Sequence, residues 1–163
     1  MENHYPYKKV WDEDTEETAR EWGHWDTIYE FKSKDGKTYS MCIYYYDHDK
    51  SISFDWAEKS DFWKKYHGEI HKYEVKTKWN ELNINEIERI LTTVFKILLD
   101  YLDQYEVDLV SIGSFARYKY KAYKSIVKSM PEFEITEDKI IPKDKKGEWP
   151  QEDYYSLYFK KIK

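Results

Sequence analysis

Val107-Asp108-Leu109-Val110-Ser111-Ile112 runs into Gly113-Ser114, and a basic, tyrosine-rich amphipathic segment follows from Arg117 to Met130. The pattern predicts a strand, a tight turn and a helix. It decides the fold because a strand feeding a helix through a short turn is the unit on which α/β chains place ligands. The strand is apolar on both faces beyond Asp108, as expected of a central strand. Ser114 is expected to cap the helix, which would bury Phe115, Ala122, Tyr123, Ile126 and Met130 and stop at Pro131.

Upstream lies the strongest periodic signal. Ile84, Ile87, Leu91, Val94, Leu98, Tyr101 and Tyr105 recur at alternating steps of three and four, and Ile90, Phe95 and Leu102 widen the stripe. A stripe that broad predicts a long helix over 84–105 laid on a sheet. It also carries Glu86, Glu88, Arg89, Lys96, Asp100 and Asp103, which rules it out as a transmembrane span.

The N-terminal half reads as a meander. Residues 12–22 suggest a short helix capped by Asp14 and ended by Gly23. Runs 27–32 and 38–46 flank Lys34-Asp35-Gly36, a hairpin signal. Asp47-His48-Asp49-Lys50 is the next turn, and 51–56 alternates with Ile52, Phe54 and Trp56 inward. In 57–68, Phe62, Trp63 and Tyr66 suit a short helix, and 69–76 reads as a strand. After the second helix, 132–136 and 154–162 are strands around a loop holding Pro142, Gly147 and Pro150. The expected architecture is a single α+β domain over residues 1–163, with a mostly antiparallel sheet packed by the long helix and a second helix.

The chain has 163 residues, enough for one domain with a real core. It holds 17 Tyr, 7 Trp and 7 Phe, residues that suit cores and protein interfaces alike. The net charge of −5 argues against general affinity for nucleic acid. Cys42 is the sole cysteine, which excludes an intrachain disulfide and a Cys-based zinc site and fits a reducing compartment. The N-terminal residues lack the basic and apolar regions of a signal peptide. These features predict a cytoplasmic protein with no membrane association.

The element order resembles the GCN5-related N-acetyltransferase (GNAT) fold, best from residue 69 to 162. Val107–Tyr123 looks like that family's penultimate strand and following helix, where Tyr120 or Tyr123 would hold the place of a tyrosine near the acceptor. Arg117 and Tyr123, spaced R-x-x-x-x-x-Y, look like small uncharacterised phage-encoded proteins. The acetyltransferase resemblance implies a coenzyme A pyrophosphate held by Q/R-x-x-G-x-G/A before the long helix. This chain departs there: residues 76–85 contain no glycine, and Glu81 and Glu86 would repel phosphate, partly offset by Lys76 and Lys78.

Other constellations have bland explanations. His67-Gly68-Glu69-Ile70-His71 would pair its rings on a helix, but Gly68 and the β-like sequel point to a strand, where the two lie about 13 Å apart by rise. Asp47-His48-Asp49 sits where a turn needs such residues. Cys42 lies mid-strand, and Ser114 lacks a G-x-S-x-G elbow.

Two surfaces remain. Asp12–Glu21 holds six acids and one Arg, flanked by Trp11, Trp22 and Trp25, and aromatics beside charge are what hot spots use. The segment 117–128 holds Arg117, Lys119, Lys121, Lys124 and Lys128 and no acid. Ser114, Arg117 and Tyr120 could receive an anion at its start.

The expected function is a non-catalytic binding module, phage- or mobile-element-encoded, that docks on or inhibits a host protein through Trp22 and Trp25. Self-association into a homo-oligomer is compatible with it, and no cofactor is expected. The alternatives are an acetyltransferase-like enzyme that binds a nucleotide or acyl donor at 113–123, and a virion structural component.

Overall fold

The computed structural model describes residues 3–66 and 82–162. The expected strand 69–76, the His67–His71 pair and most of the glycine-free segment 76–85 lie outside the described residues. Among the described residues seven strands form a mostly antiparallel sheet: β1 (Tyr7–Asp12), β2 (His24–Lys32), β3 (Thr38–Tyr46), β4 (Ser51–Glu58), β5 (Leu109–Ser114), β6 (Phe133–Ile141) and β7 (Tyr154–Lys161). Their order is β1-β2-β3-β4-β5-β7-β6, and β4 and β5 run parallel. The helices are α1 (Glu17–Trp22), α2 (Lys59–Tyr66), α3 (Ile84–Gln104) and α4 (Arg117–Ser129). The chain divides into two compact units, one of residues 1–46 and 54–106 and one of residues 47–53 and 107–163.

In the first unit, α3 packs on the face of the meander formed by the odd-numbered residues of β2 and β3. Its buried residues are Ile90, Leu91, Thr93, Val94, Phe95, Ile97, Leu98 and Tyr101. Asn83 caps it by accepting the Glu86 N–H at 2.8 Å. The expected stripe holds except at its start, where Ile84 is 77% exposed because the helix has barely begun there.

The sheet face beneath α3 is aromatic. Trp25 stacks on Tyr45, its direct cross-strand partner, at 4.2 Å. Tyr5, Phe31, Tyr39 and Trp56 form a row of rings at 6.3, 5.5 and 6.0 Å, each contact worth about 0.5–1.5 kcal/mol beyond burial. Phe54 meets Phe95 edge-on at 6.1 Å. Polar bonds fix the helix direction. The Tyr5 N–H donates to Thr93 Oγ1 at 2.8 Å, and the Tyr5 hydroxyl donates to Glu86 at 2.7 Å. At the other end Tyr105 donates to Asp12 at 3.3 Å, and Tyr45 donates to the Glu106 carbonyl at 3.0 Å.

The opposite face carries a smaller core of Ile28, Cys42 and Ala57 covered by Phe62 of α2. β3 is therefore buried on both faces through Cys42. β5 is interior to the sheet, between β4 and β7, as expected, but it alternates instead of being buried on both faces: Val110, Ile112 and Ser114 are buried and Gly113 is exposed.

In the second unit, α4 packs on β5, β7 and β6. Tyr123, Val127 and Met130 are buried, as is Lys119, which had been expected on a basic outer face. Phe115, Ala122 and Ile126 are half-buried rather than core. Gly113 and Ser114 belong to the strand rather than to a tight turn, paired with Ser156 and Tyr155. The reason is steric: a Cβ on Gly113 would fall on the Tyr154 ring, so only glycine lets Tyr154 lie there against Phe115 at 4.9 Å and Trp149 at 5.5 Å.

Two elements exceed the expected ones. β1 is an added strand just ahead of the expected N-terminal helix, whose start is instead a 3-10 turn over Glu13–Thr15 capped by Asp12 rather than Asp14; α1 follows, closed as expected by Gly23, in the left-handed region at φ 76°. β6 continues five residues past the expected end, to Ile141. Both lie at sheet edges and both are bulged, between Lys9 and Trp11 and between Ile135 and Glu137. A bulge breaks alternation, and charges on an edge discourage unwanted pairing.

The Tyr39 hydroxyl is buried and has no hydrogen-bond partner among the described residues. Tyr39→Phe is expected to raise unfolding stability by about 0.5–1.5 kcal/mol, read from the urea midpoint at unchanged slope; a loss of 1 kcal/mol would show that the hydroxyl is satisfied. Gly113→Ala is expected to cost about 1–3 kcal/mol by displacing the Tyr154 ring, with a matching change in Trp149 emission.

Candidate functional site

The acidic segment is less free than its composition suggests. Asp12 accepts the Asp14 N–H at 3.0 Å and pairs with Lys9 at 3.1 Å. Glu13 accepts the Asp26 N–H at 2.9 Å, and Asp14 pairs with Arg20 at 2.8 Å. These three acids hold the 3-10 turn and α1 against β2. Glu16, Glu17 and Glu21 are left exposed, with Trp22 beside them at 70% exposure. The Trp22 ring lies tilted beside that of His24, with centroids 6.2 Å apart. Trp11 is 48% exposed. Trp25 is different: it is 8% exposed and stacked in the core, so it cannot serve as the docking residue expected of it. Two residues separate it from Trp22, but the chain has passed from helix to strand between them, and Trp25 falls on the α3 face.

Ser114 and Tyr120 both adjoin Tyr155, which pairs with Ser114 across the sheet and lays its ring beside that of Tyr120. Ser114 is buried, and its hydroxyl accepts the Ala116 N–H at 2.9 Å, closing a local turn. Ala116 occupies the N-cap of α4 and makes no side-chain cap bond, so Ser114 is not the cap. Arg117 is exposed on the first turn. Tyr120 is half-buried against Tyr155 at 5.3 Å, with the Lys124 ammonium 5.8 Å from its ring. Lys124 itself pairs with Asp138. Of the expected basic face, Arg117, Lys121 and Lys128 remain exposed.

The Cys42 thiol is fully buried, and burial, then Asp26 and Asp55, push it well above its ordinary range; a thiol so raised is a poor nucleophile. Tyr44 donates to Asp55 at 3.0 Å, and its hydroxyl is held strongly protonated, first by burial and then by that carboxylate. Asp49 accepts from the Ser51 N–H and hydroxyl at 3.2 and 2.6 Å, which is turn chemistry. Among the described residues no three His, Cys, Asp or Glu side chains are grouped as metal ligands, and no helix is long and apolar enough to cross a membrane.

Sequence reading passed over two cavities in the first unit. One, of about 420 Å³, is lined by Pro6, Tyr7, Lys8, Glu30, Phe31, Lys32, Thr38 and Lys59. The other, of about 410 Å³, is lined by Lys34, Asp35, Leu82, Asn83 and Glu86. The lysines of the first come from three elements: the register of β1 on β2 brings Lys8 near Lys32, and the start of α2 adds Lys59.

Trp22→Ala is expected to leave unfolding stability within about 0.5 kcal/mol, whereas Trp25→Ala costs about 3–5 kcal/mol. Equal losses in chemical denaturation would contradict the placement of the two rings. No family model matches the chain, and no curated protein and no solved structure matches it.

Proposed function

We propose that the chain is a non-catalytic protein-binding module, encoded by a phage or mobile element and acting in the cytoplasm by docking on or inhibiting a host protein. The observation that carries this reading is Trp22, 70% exposed at the end of a helix that also exposes Glu16, Glu17 and Glu21. A large ring left in water forgoes roughly 1.5–3 kcal/mol of burial, which a partner can recover. Asp12, Glu13 and Asp14 anchor the helix beneath it, so little ordering cost falls on binding. The complementary surface is an apolar cleft rimmed by Lys and Arg. A second copy of the chain as partner would make a homo-oligomer.

The second reading is an acetyltransferase-like enzyme or nucleotide or acyl-donor binder. The order α3, β5, α4, β6, β7 favours it, because the resemblance implies helix, strand, helix, strand, strand in that stretch. The burial of Ser114 and its bond to the Ala116 N–H weigh against a site at residues 113–123.

Capture from host extract by immobilised wild-type chain, run beside Trp22→Ala and a Glu16→Gln, Glu17→Gln, Glu21→Gln variant, tests the first reading. The expected result is a captured protein lost about 30-fold or more with Trp22→Ala and weakened by salt with the charge variant. Stabilisation by several degrees with coenzyme A, acetyl-coenzyme A or a nucleotide would support the second reading instead. Regular high-order assembly of the purified chain by light scattering would favour a virion component.

A further inference from the structure

We propose that the 420 Å³ cavity on the α2 side of the β1–β2–β3 sheet binds a phosphate monoester group of a small ligand. This site is independent of Trp22 and of any protein partner. Lys8 lies directly opposite Glu30, and Lys32 directly opposite Thr38. Glu30 and Lys32 are two apart on β2, so Lys8, Glu30, Lys32 and Thr38 share one sheet face. Lys8 and Lys32 are diagonal neighbours across the β1–β2 pair, about 7–8 Å apart at the backbone, within reach of one anion for two long side chains.

Lys59, the first residue of α2, closes the cavity from above that face. The Glu30 carboxylate is largely buried and pairs with Lys59 at 2.9 Å, so these two charges cancel. Lys8 and Lys32 have no ion-pair partner among the described residues. The cavity therefore holds two uncompensated positive charges and the Thr38 hydroxyl donor on a protein whose net charge is −5. Lys8 and Lys32 are both exposed, so they form a local positive patch on an acidic chain, and a dianion seated between them relieves their mutual repulsion. A phosphate monoester carries about −1.5 to −2 at neutral pH and offers three acceptor oxygens, which matches two ammonium groups and a hydroxyl. A carboxylate matches only one of the charges.

The test is a 1H–15N NMR titration of the full chain with inorganic phosphate and with phenyl phosphate, beside succinate at the same concentrations. The expected result is saturable shifts at the Lys8, Lys32 and Thr38 amides, with both phosphates binding more tightly than succinate. Lys8→Gln with Lys32→Gln should weaken binding about tenfold or more, while Lys121→Gln with Lys128→Gln, the same charge loss on exposed positions of α4, should change it less than about twofold. Lys8→Arg with Lys32→Arg should retain binding, which guards against misreading an unfolded glutamine variant. Shifts that do not saturate, succinate binding as tightly as phosphate, or equal weakening by the two glutamine pairs would overturn the assignment. Trp22→Ala should leave the phosphate affinity unchanged, so this site and the docking surface fail separately.

Discussion

The first unit depends on the burial of one helix face against an aromatic sheet. Eight side chains of α3 are withdrawn from water, and the rings of Trp25, Phe31, Tyr39, Tyr45 and Trp56 supply the surface they meet. Broad rings have few rotamers and large area, so they cover a sheet at modest entropy cost. Their polar tips need partners, and the fold finds several: Tyr45 reaches the Glu106 carbonyl, Tyr5 reaches Glu86 and Tyr105 reaches Asp12. Tyr5 and Asp12 bracket β1 and hold opposite halves of α3. The seven steps from Tyr5 to Asp12 span about 23 Å in extended chain, and the sixteen steps from Arg89, whose guanidinium lies 4.0 Å from the Tyr5 ring, to the cap residue Tyr105 span about 24 Å of helix. The edge strand thus runs alongside the helix and is fastened to it near both ends.

Where the sequence was legible, one physical signal dominated. The stripe of α3, the alternation of β4 over 51–56 and the Asp35-Gly36 turn are local consequences of burial on one side or of a glycine at positive φ. Reading failed where a second influence acted. Tyr7–Asp12 shows no alternation because the bulge after Lys9 moves Trp11 to the face opposite Lys9. Glu137-Asp138-Lys139 looks like a loop because an edge strand presents its charges to water. Gly113-Ser114 reads as a turn until Tyr154, 41 residues later in the chain, is seen resting on the glycine.

The candidate sites divide in the same way. The exposure of Trp22 and the burial of Trp25 have no local signature, since both follow the acidic run and both are tryptophan. Strand parity decides the matter: Trp25 shares its face with Tyr29 and Phe31, beneath α3. Likewise the acids of 12–21 look like one solvated run, yet Asp12, Glu13 and Asp14 terminate a strand and hold a turn while Glu16, Glu17 and Glu21 stay exposed. The lysine cavity was invisible for want of register, because Lys8, Lys32 and Lys59 are far apart in sequence and each is unremarkable alone.

Native-state hydrogen exchange tests the packing of α3 most directly. The amides of Leu91 to Leu98 should exchange only through global unfolding, with opening free energies equal to the denaturant-derived stability, and the β3 amides should share that value. Exchange of the α3 amides at a markedly lower free energy than those of β3 would mean that the helix opens on its own and that the sheet does not depend on it, contradicting the account.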